Sequence, residues 1–557
     1  MAFAQLLDQV GGFGRFQILQ NVALFIPLVI LAAYHLVENF AAAVPDHRCR
    51  VHILDNTTFP VNTTSASPSL SALLKVYVPS GPDQRPETCR RFLHPQWQLL
   101  HVNKTDLNAS QLDTEPCLDG WVYDQGVFAS TIVTEWDLVC ESMALKMIPQ
   151  AVYMTGILIG SIVWGYISDR FGRKMIIMAC YLMMAAGGSS SAFAPSFPFY
   201  CACRSLTGFA VGGVLIASPS LLVEWTPSQS RTTAITVLSS GFSLGVLMLS
   251  GLAYFIRDWQ MLHLALVLPC GFCFLYSWWM AESARWLLIT GKLDSALREL
   301  RRVARINGKK EAGEMLTLEV LRGHLQGDPS TDKSHSTVFD LFRTPILRRI
   351  VLCVSFVWFS ESFAYFGMAM DLQNLDTNIY LLSTLFGAVD IPAKIAAYLM
   401  LRYSGGRNRS LVTFQVLAGL SILASVFVPA ARQSLRVTFV VFAAGCLSAG
   451  ITCIFAYGME LYPTVLRMTA TGTDQVAARL GCILGPVFKI TGQSFSSLPY
   501  IIYGASLLIS GVAVFLLLPE TQNVPLPDTI QDVENNIWKK SRHGRRQERI
   551  IVKSTQF

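Results

Sequence analysis

Leu466–Lys489, L-R-M-T-A-T-G-T-D-Q-V-A-A-R-L-G-C-I-L-G-P-V-F-K, sets the problem that the rest of the chain has to solve. Its small and apolar residues are long enough to cross a bilayer as a helix, yet Arg479 sits near the centre. At about 1.5 Å of rise per residue it lies on the order of 15–20 Å from either end, too far for its side chain to reach the headgroups. A permanent cation at that depth is costly and must face a bundle interior or a wet cavity. Two readings are open: an ion pair holding two helices together, or an anion-attracting charge in a transport path.

Working outward, the 557 residues are 52% hydrophobic and only 15% charged, with mean hydropathy +0.42. Soluble chains carry about a quarter charged residues. Apolar clusters of about 20 residues recur throughout, which makes this a polytopic membrane protein. The net charge of +7 therefore reports membrane orientation and not nucleic-acid binding. The N-terminal residues show no basic n-region and no small-residue cleavage site, so no cleaved signal peptide is expected.

The pattern divides the chain into a cytoplasmic N-terminus (1–17), a first transmembrane helix (18–40), an outer loop (41–143), helices two to six (144–280), a basic cytoplasmic loop (281–349), helices seven to twelve (350–518) and a cytoplasmic tail (519–557). The outer loop carries four N-glycosylation patterns, at Asn56, Asn62, Asn103 and Asn108. It also holds Cys49, Cys89, Cys117 and Cys140, an even set that fits two disulfides in an oxidising compartment, with three pairings open. The other nine cysteines fall in apolar spans and read as packing residues. Basic residues concentrate at Arg170–Lys174, in 282–349, at Arg402–Arg409 and in the tail, which places both termini in the cytoplasm. The loop then faces outward, as its glycosylation patterns require.

The chain also repeats itself. Gly172-Arg173 is echoed by Gly406-Arg407, 234 positions on. The pattern E-x-x-P-x-x-x-R runs from Glu224 to Arg231 and again from Glu460 to Arg467, offset 236. Glu282-Ser283 is echoed by Glu520-Thr521, offset 238. Three ordered echoes at nearly one offset argue for a duplicated six-helix unit, an architecture that places a transport site at the midplane between halves. Each echo falls at a cytoplasmic helix end. Asp169, Arg170, Arg173, Glu224, Arg231, Glu282, Arg285, Glu460, Arg467 and Glu520 are therefore candidate gating residues, able to pair across neighbouring helix ends.

Gly165–Lys174, G-Y-I-S-D-R-F-G-R-K, resembles the G-x-x-x-D-R-x-G-R-[RK] signature of the major facilitator superfamily. Asp113–Asp124, Ser130–Cys140, E-S-A-R-W-L from Glu282, E-L-Y-P-T-V-L-R from Glu460 and P-L-P-D-T-I-Q-D-V from Pro525 resemble the organic-anion branch of the solute carrier 22 family, which includes a urate transporter. The resemblance spans essentially the whole chain. It implies an all-α major facilitator fold of twelve helices in two six-helix halves, a plasma-membrane location, and exchange of organic anions against a counter-anion such as a dicarboxylate or chloride. Matched by motif, Arg479 takes the position of the family's anion-binding arginine and Lys394 that of a lysine in the eighth helix. Tyr153, Phe242, Tyr365 and Phe366 match aromatic positions of the central cavity. The cation-carrying branch has an acidic residue where this chain has Arg479.

The residues support that reading on their own terms. Asp390 lies one turn before Lys394, so the lysine is open to both an ion pair and a substrate contact. Asp474 lies five positions before Arg479, about 140° around the helix, poorly placed to neutralise it. A guanidinium offers a bidentate fork to carboxylate or sulfate, and aromatic walls favour a flat or elongated apolar body. Glu361 stands where an aromatic could line the cavity, and it could instead pair with Arg479. Asn39, closing the first span, joins the candidate substrate residues. Leu238, Val246 and Ile451 are aliphatic where the resembled urate transporter is polar or aromatic, so amphiphilic anions such as prostaglandins or steroid sulfates are expected ahead of urate. Thr-x-Phe at Phe557 suits a PDZ groove, or ends a disordered basic tail beside the bilayer. No H-E-x-x-H, phosphate loop or zinc spacing appears, so neither an enzyme nor a cofactor is expected. A channel, a receptor and an organic-cation carrier are the remaining rivals.

Overall fold

The computed structural model describes residues 2–55, 70–80, 86–100, 113–321, 339–375, 378–403, 406–429, 432–463, 466–489, 495, 497–522, 527, 530, 531 and 533. Twelve described helices have 19 or more residues: α1 Arg15–His35, extended by Glu38–Ala41; α2 Ile148–Phe171; α3 Arg173–Ala192; α4 Phe197–Trp225; α5 Ser228–Phe255; α6 Trp259–Ser277; α7 Pro345–Ala369; α8 Ile379–Tyr403; α9 Arg407–Phe427; α10 Gln433–Leu461; α11 Arg467–Phe488; and α12 Leu498–Leu517. Eleven of these segments are long and apolar enough to cross a membrane. The one that falls short is α11, whose Arg467, Asp474 and Arg479 and run of threonines dilute its hydropathy. It is a continuous helix all the same, because packing stabilises what composition does not.

That packing is visible in its glycines. A Cβ at Gly481 would lie 2.5 Å from the Phe359 carbonyl oxygen and one at Gly485 2.6 Å from that of Phe363, both on α7. The G-x-x-x-G spacing thus lets the α7 and α11 backbones touch, the close approach that small residues permit between membrane helices. The first half repeats the device. Cβ atoms at Gly156 and Gly160 of α2 would collide with the α4 backbone at Ser205 and Phe209, and those at Gly208 and Gly212 of α4 with α2.

The chain forms two compact units. One comprises Met1–Asn39, Pro149–Tyr254 and His263–Phe557, and holds the helix bundle. The other comprises Phe40–Ile148 with Phe255–Leu262. The outer loop is therefore a folded module. In it β1 His47–Cys49 pairs antiparallel with β4 Trp121–Tyr123, and β2 Arg90–Phe92 with β3 Thr114–Pro116. Of the three open pairings the structure takes Cys49–Cys117 and Cys89–Cys140. Asn56, Asn62, Asn103 and Asn108 lie outside the described residues, as does the tail from 534 onward.

The 281–349 segment also has a fold of its own. Its amphipathic helix Leu293–Ile306 buries Ala296, Leu300, Val303 and Ala304. Asn307, just beyond, accepts from the Phe16 N–H at 2.9 Å and donates to Val10 O at 3.2 Å and Gln17 Oε1 at 3.1 Å. The start of α1 is thereby pinned to this segment.

Candidate functional site

Arg479 is partly accessible on α11, and among the described residues it forms no ion pair. Asp474 is engaged elsewhere, accepting from Ser355 Oγ at 2.8 Å and Tyr462 OH at 2.9 Å. The Arg479 charge reaches His35 on α1 and Tyr153 on α2, in the opposite half. Around it a row of rings joins the halves. His35 and Tyr153 are 5.4 Å apart between centroids, His35 and Phe242 6.4 Å, Phe242 and Tyr365 6.4 Å, and Tyr365 and Phe366 5.6 Å. The structure therefore links Tyr153, Phe242, Tyr365 and Phe366 through His35 in one row, with the Arg479 charge acting on its first-half end. Phe359 and Phe363 leave this row and stack with each other at 5.4 Å, and Phe363 packs on Phe488 and Tyr503.

Three candidates are placed differently. Lys394 is occupied: its Nζ lies 2.9 Å from Asp390 Oδ2 and donates to Ser243 Oγ at 3.1 Å and Ser239 O at 3.3 Å. Asp390 in turn accepts from the Ser243 and Ser448 hydroxyls. The lysine thus ties α8 to α5 across the halves. Glu361 neither lines a cavity beside Tyr365 nor pairs with Arg479. It is fully buried, its carboxylate pressed against Gly450 of α10, where a Cβ would strike Oε1. The absent side chain of Gly450 is what makes room for it. Asn39 spends its amide on the Ala369 carbonyl of α7 at 2.7 Å and is buried there.

The echoed motifs form matching networks, and the ion pairs described in each join residues of a single half. In the first, Arg173 lies 3.1 Å from Asp169 and 3.4 Å from Glu224. Glu282 accepts from the backbone N–H groups of Arg173 at 3.1 Å and Lys174 at 3.2 Å. In the second, Arg407 lies 3.2 Å from Glu460, and Glu520 accepts from Arg407 N–H at 2.7 Å and Asn408 N–H at 3.2 Å. Each glutamate seats on the unsatisfied N–H groups that open a helix, where the helix dipole favours negative charge. Gly172, at φ +102°, leaves the space that Glu282 fills. Among the described residues, Arg467 of the E-x-x-P-x-x-x-R echo forms no ion pair with Glu460. Arg467 donates instead to Tyr462 O at 3.2 Å, while the Arg231 side chain lies outside the described residues. Arg170 is exposed over the Tyr166 ring at 6.0 Å, and Arg285 is exposed.

Sequence reasoning missed the cation that is most deeply buried among the described residues. Arg204 of α4 has no solvent exposure, and its Nε lies 2.9 Å from Glu38 Oε1. Its guanidinium sits 4.6 Å from the Tyr34 ring and 4.3 Å from that of Tyr153. Tyr200 OH donates to Glu38 at 2.7 Å and lies 3.2 Å from His263 Nε2. The signal was present in C-A-C-R-S-L, an arginine inside an apolar span, and the cost argument applied to Arg479 would have found it.

The family model described as Major Facilitator Superfamily matches residues 141–486. Solute carrier family 22 member 12 of Homo sapiens is 49% identical over 557 residues, covering 100% of both chains. Solute carrier family 22 member 11 of Homo sapiens is 45% identical over 555 residues, again 100% of both. A steroid transmembrane transporter of Microcebus murinus is 47% identical over 557 residues and 100% of both. Among solved structures, the inward open conformation of the xylose transporter XylE from E. coli has TM-score 0.55 and 18% identity, covering 72% of this chain and 91% of that one. At that identity the likeness speaks to the fold alone.

Proposed function

The chain belongs to solute carrier family 22 of the major facilitator superfamily, and from that premise we propose that it carries organic anions across the plasma membrane by alternating access, in exchange for a second anion. Membership makes it a membrane transporter and not an enzyme. The observation that carries the anion reading is Arg479, which forms no ion pair among the described residues and acts electrostatically on His35 and Tyr153, members of the ring row that joins the halves. A fixed cation without a carboxylate partner, next to apolar rings, fits an acidic head on a hydrophobic body. The rival reading of an organic-cation carrier rested on Glu361, and that carboxylate is buried against Gly450, apart from the ring row.

The substrates we favour are amphiphilic anions such as prostaglandins and steroid sulfates. Leu238 and Val246 are buried aliphatic side chains on α5, the helix that supplies Phe242, and one relative is named a steroid transporter. Urate is the second reading, supported by the family resemblance. The counter-anion would be a dicarboxylate or chloride. The positive-inside distribution supports cytoplasmic termini and an outward, glycosylated loop. A PDZ domain is the partner that suits the C-terminal Thr-x-Phe.

Arg479→Ala expressed in cells is the direct test. It should abolish uptake of radiolabelled estrone sulfate while leaving surface expression largely intact. Collapse of surface expression would instead make the arginine a helix tether. In the unaltered protein, urate uptake exceeding that of estrone sulfate and prostaglandin E2 would overturn the substrate preference. Preloading with a dicarboxylate should accelerate uptake, as an exchanger requires.

A further inference from the structure

A groove of about 610 Å³ opens between the start of α7 and the end of α12. Ile346, Leu352, Cys353 and Phe356 wall it on one side, Ala513 and Leu517 on the other, with Arg348 and Arg349 at its mouth. Both arginines are exposed, and among the described residues neither forms an ion pair. On α7 the positions 348/349, 352/353 and 356 follow the i, i+4, i+8 spacing of one helix face. At about 1.5 Å per residue the apolar floor therefore runs roughly 12 Å from the charges toward the bilayer interior. The antiparallel α12 brings Leu517 level with the arginines and Ala513 one turn deeper, and the small Ala513 keeps the cleft open.

We propose that this groove binds one phospholipid with an anionic headgroup. The two guanidiniums take its phosphate and carboxylate oxygens, and the Leu352–Phe356 wall takes an acyl chain. Three observations commit it to a lipid. Arg348 and Arg349 lie in the first two turns of the membrane-length helix α7, the end at which a headgroup would sit. Leu352 is 57% exposed and Leu517 40%, so these apolar walls face outward from membrane-length helices, as an acyl chain would need. The cleft lies at the opposite end of α7 from Tyr365 and Phe366, so it is separate from the proposed transport site. Arginine, with its planar fork and weak hydration, suits such an anion better than a point charge. That this leaflet is the cytoplasmic one rests on the orientation proposed above, but the binding does not.

The test uses the full-length protein reconstituted in nanodiscs of phosphatidylcholine with and without phosphatidylserine, with retained lipid read by native mass spectrometry. The unaltered chain should retain phosphatidylserine in preference to phosphatidylcholine. Arg348→Gln and Arg349→Gln should each weaken that retention about fivefold, the effect of one basic side chain at a charged membrane surface. Ala513→Trp, which fills the cleft and keeps both charges, should lower it as well. Arg343→Gln, an exposed basic side chain outside the groove, should leave it unchanged, and inorganic phosphate should not displace the lipid. Undiminished retention by the Arg348→Gln/Arg349→Gln double variant would overturn the proposal. So would undiminished retention by a folded Ala513→Trp, which would reduce the arginines to diffuse surface charge. Displacement by inorganic phosphate would replace the lipid with a soluble anion and overturn it too. Because the readout is bound lipid, these outcomes do not depend on which substrate the protein carries.

Discussion

Arg204 and Arg479 are the same side chain inside the bundle, and what faces each decides its role. Arg204 meets Glu38 at 2.9 Å under two tyrosine rings with no solvent exposure. Arg479 forms no ion pair among the described residues, and its charge acts on His35 and Tyr153 of the other half. Removing one partner of a buried pair strands the other charge, a loss of about 3–5 kcal/mol, whereas replacing both by apolar groups is often close to neutral. Arg204→Leu should therefore lower the melting temperature of the detergent-solubilised protein sharply, and Glu38→Leu/Arg204→Leu should recover most of the loss. Equal destabilisation by the single and double variants would mean that the pair is not the unit of stability. The sequence disclosed the cost of an intramembrane charge but not its partner, because Glu38 and Arg204 are 166 positions apart and only the α1–α4 packing joins them. Glu361 failed for a related reason. Its neighbour is a side chain that Gly450 lacks, and an absence on another helix leaves no mark in the local pattern.

At the scale of the element, span limits were legible within a few residues, since apolar runs and flanking charges are local properties. The block 350–518 holds the helices from Pro345–Ala369 to Leu498–Leu517, and 144–280 those from Ile148–Phe171 to Trp259–Ser277. The end networks were legible as echoes but not as contacts. Glu282 and Glu520 act as helix-start carboxylates, a role set by where α6 and α12 deliver them and not by their sequence neighbours. The α7–α11 contact went unread, although G-C-I-L-G stands two residues beyond Arg479. It bears on function directly, because α7 carries Tyr365 and Phe366 and α11 carries Arg479. Gly485→Val places a branched side chain where Phe363 O and the Gly367 backbone already sit within 2.9 Å of a Cβ. Such overpacking costs about 1–3 kcal/mol and should push the two helices apart. The expected result is a melting temperature lowered by a few degrees and anion uptake reduced more than surface abundance. Unchanged uptake per surface molecule would show that the α7–α11 spacing does not set the site.

At the scale of the whole molecule, the two units respond to different variables. The outer module depends on charge as well as disulfides. Arg48 pairs with Asp55 at 2.6 Å, and Arg91 pairs with Glu115 at 2.8 Å and with Asp119. Burial opposes ionisation of Asp55, but the Arg48 and Val51 hydrogen bonds outweigh it and hold the carboxyl below its ordinary value. The Arg91 hydrogen bond does the same for Asp119. A depressed carboxylate contributes stability above its unfolded pKa of about 3.9 and loses it as pH falls through the folded value. The module's amide-exchange protection should accordingly hold at neutral pH and fall below about pH 4, and constant protection into strong acid would contradict these pairings. The bundle answers to the contact between its halves. That duplication was legible in the sequence because the end motifs repeat, whereas the bonds between the halves repeat nowhere and only the fold brings them together. Asn39 bonds Ala369, Ser250 Oγ donates to Ser383 Oγ at 2.7 Å, and Ser243 bonds Asp390. These contacts run from the end of α1 to the middle of α5 and α8, while the described ion pairs of Arg173 and Arg407 each join residues of one half. Alternating access requires the first set to part once per cycle. Ser250 and Ser383, on α5 and α8, are close enough to be bridged, so Ser250→Cys/Ser383→Cys should lose anion uptake on oxidation and regain it with reductant. Each single variant should keep its uptake under both treatments, which separates the bridge from the nine native thiols. Full uptake with the bridge demonstrably closed would mean that α5 and α8 never separate at this level, and rocking of the two halves about the site would have to be abandoned.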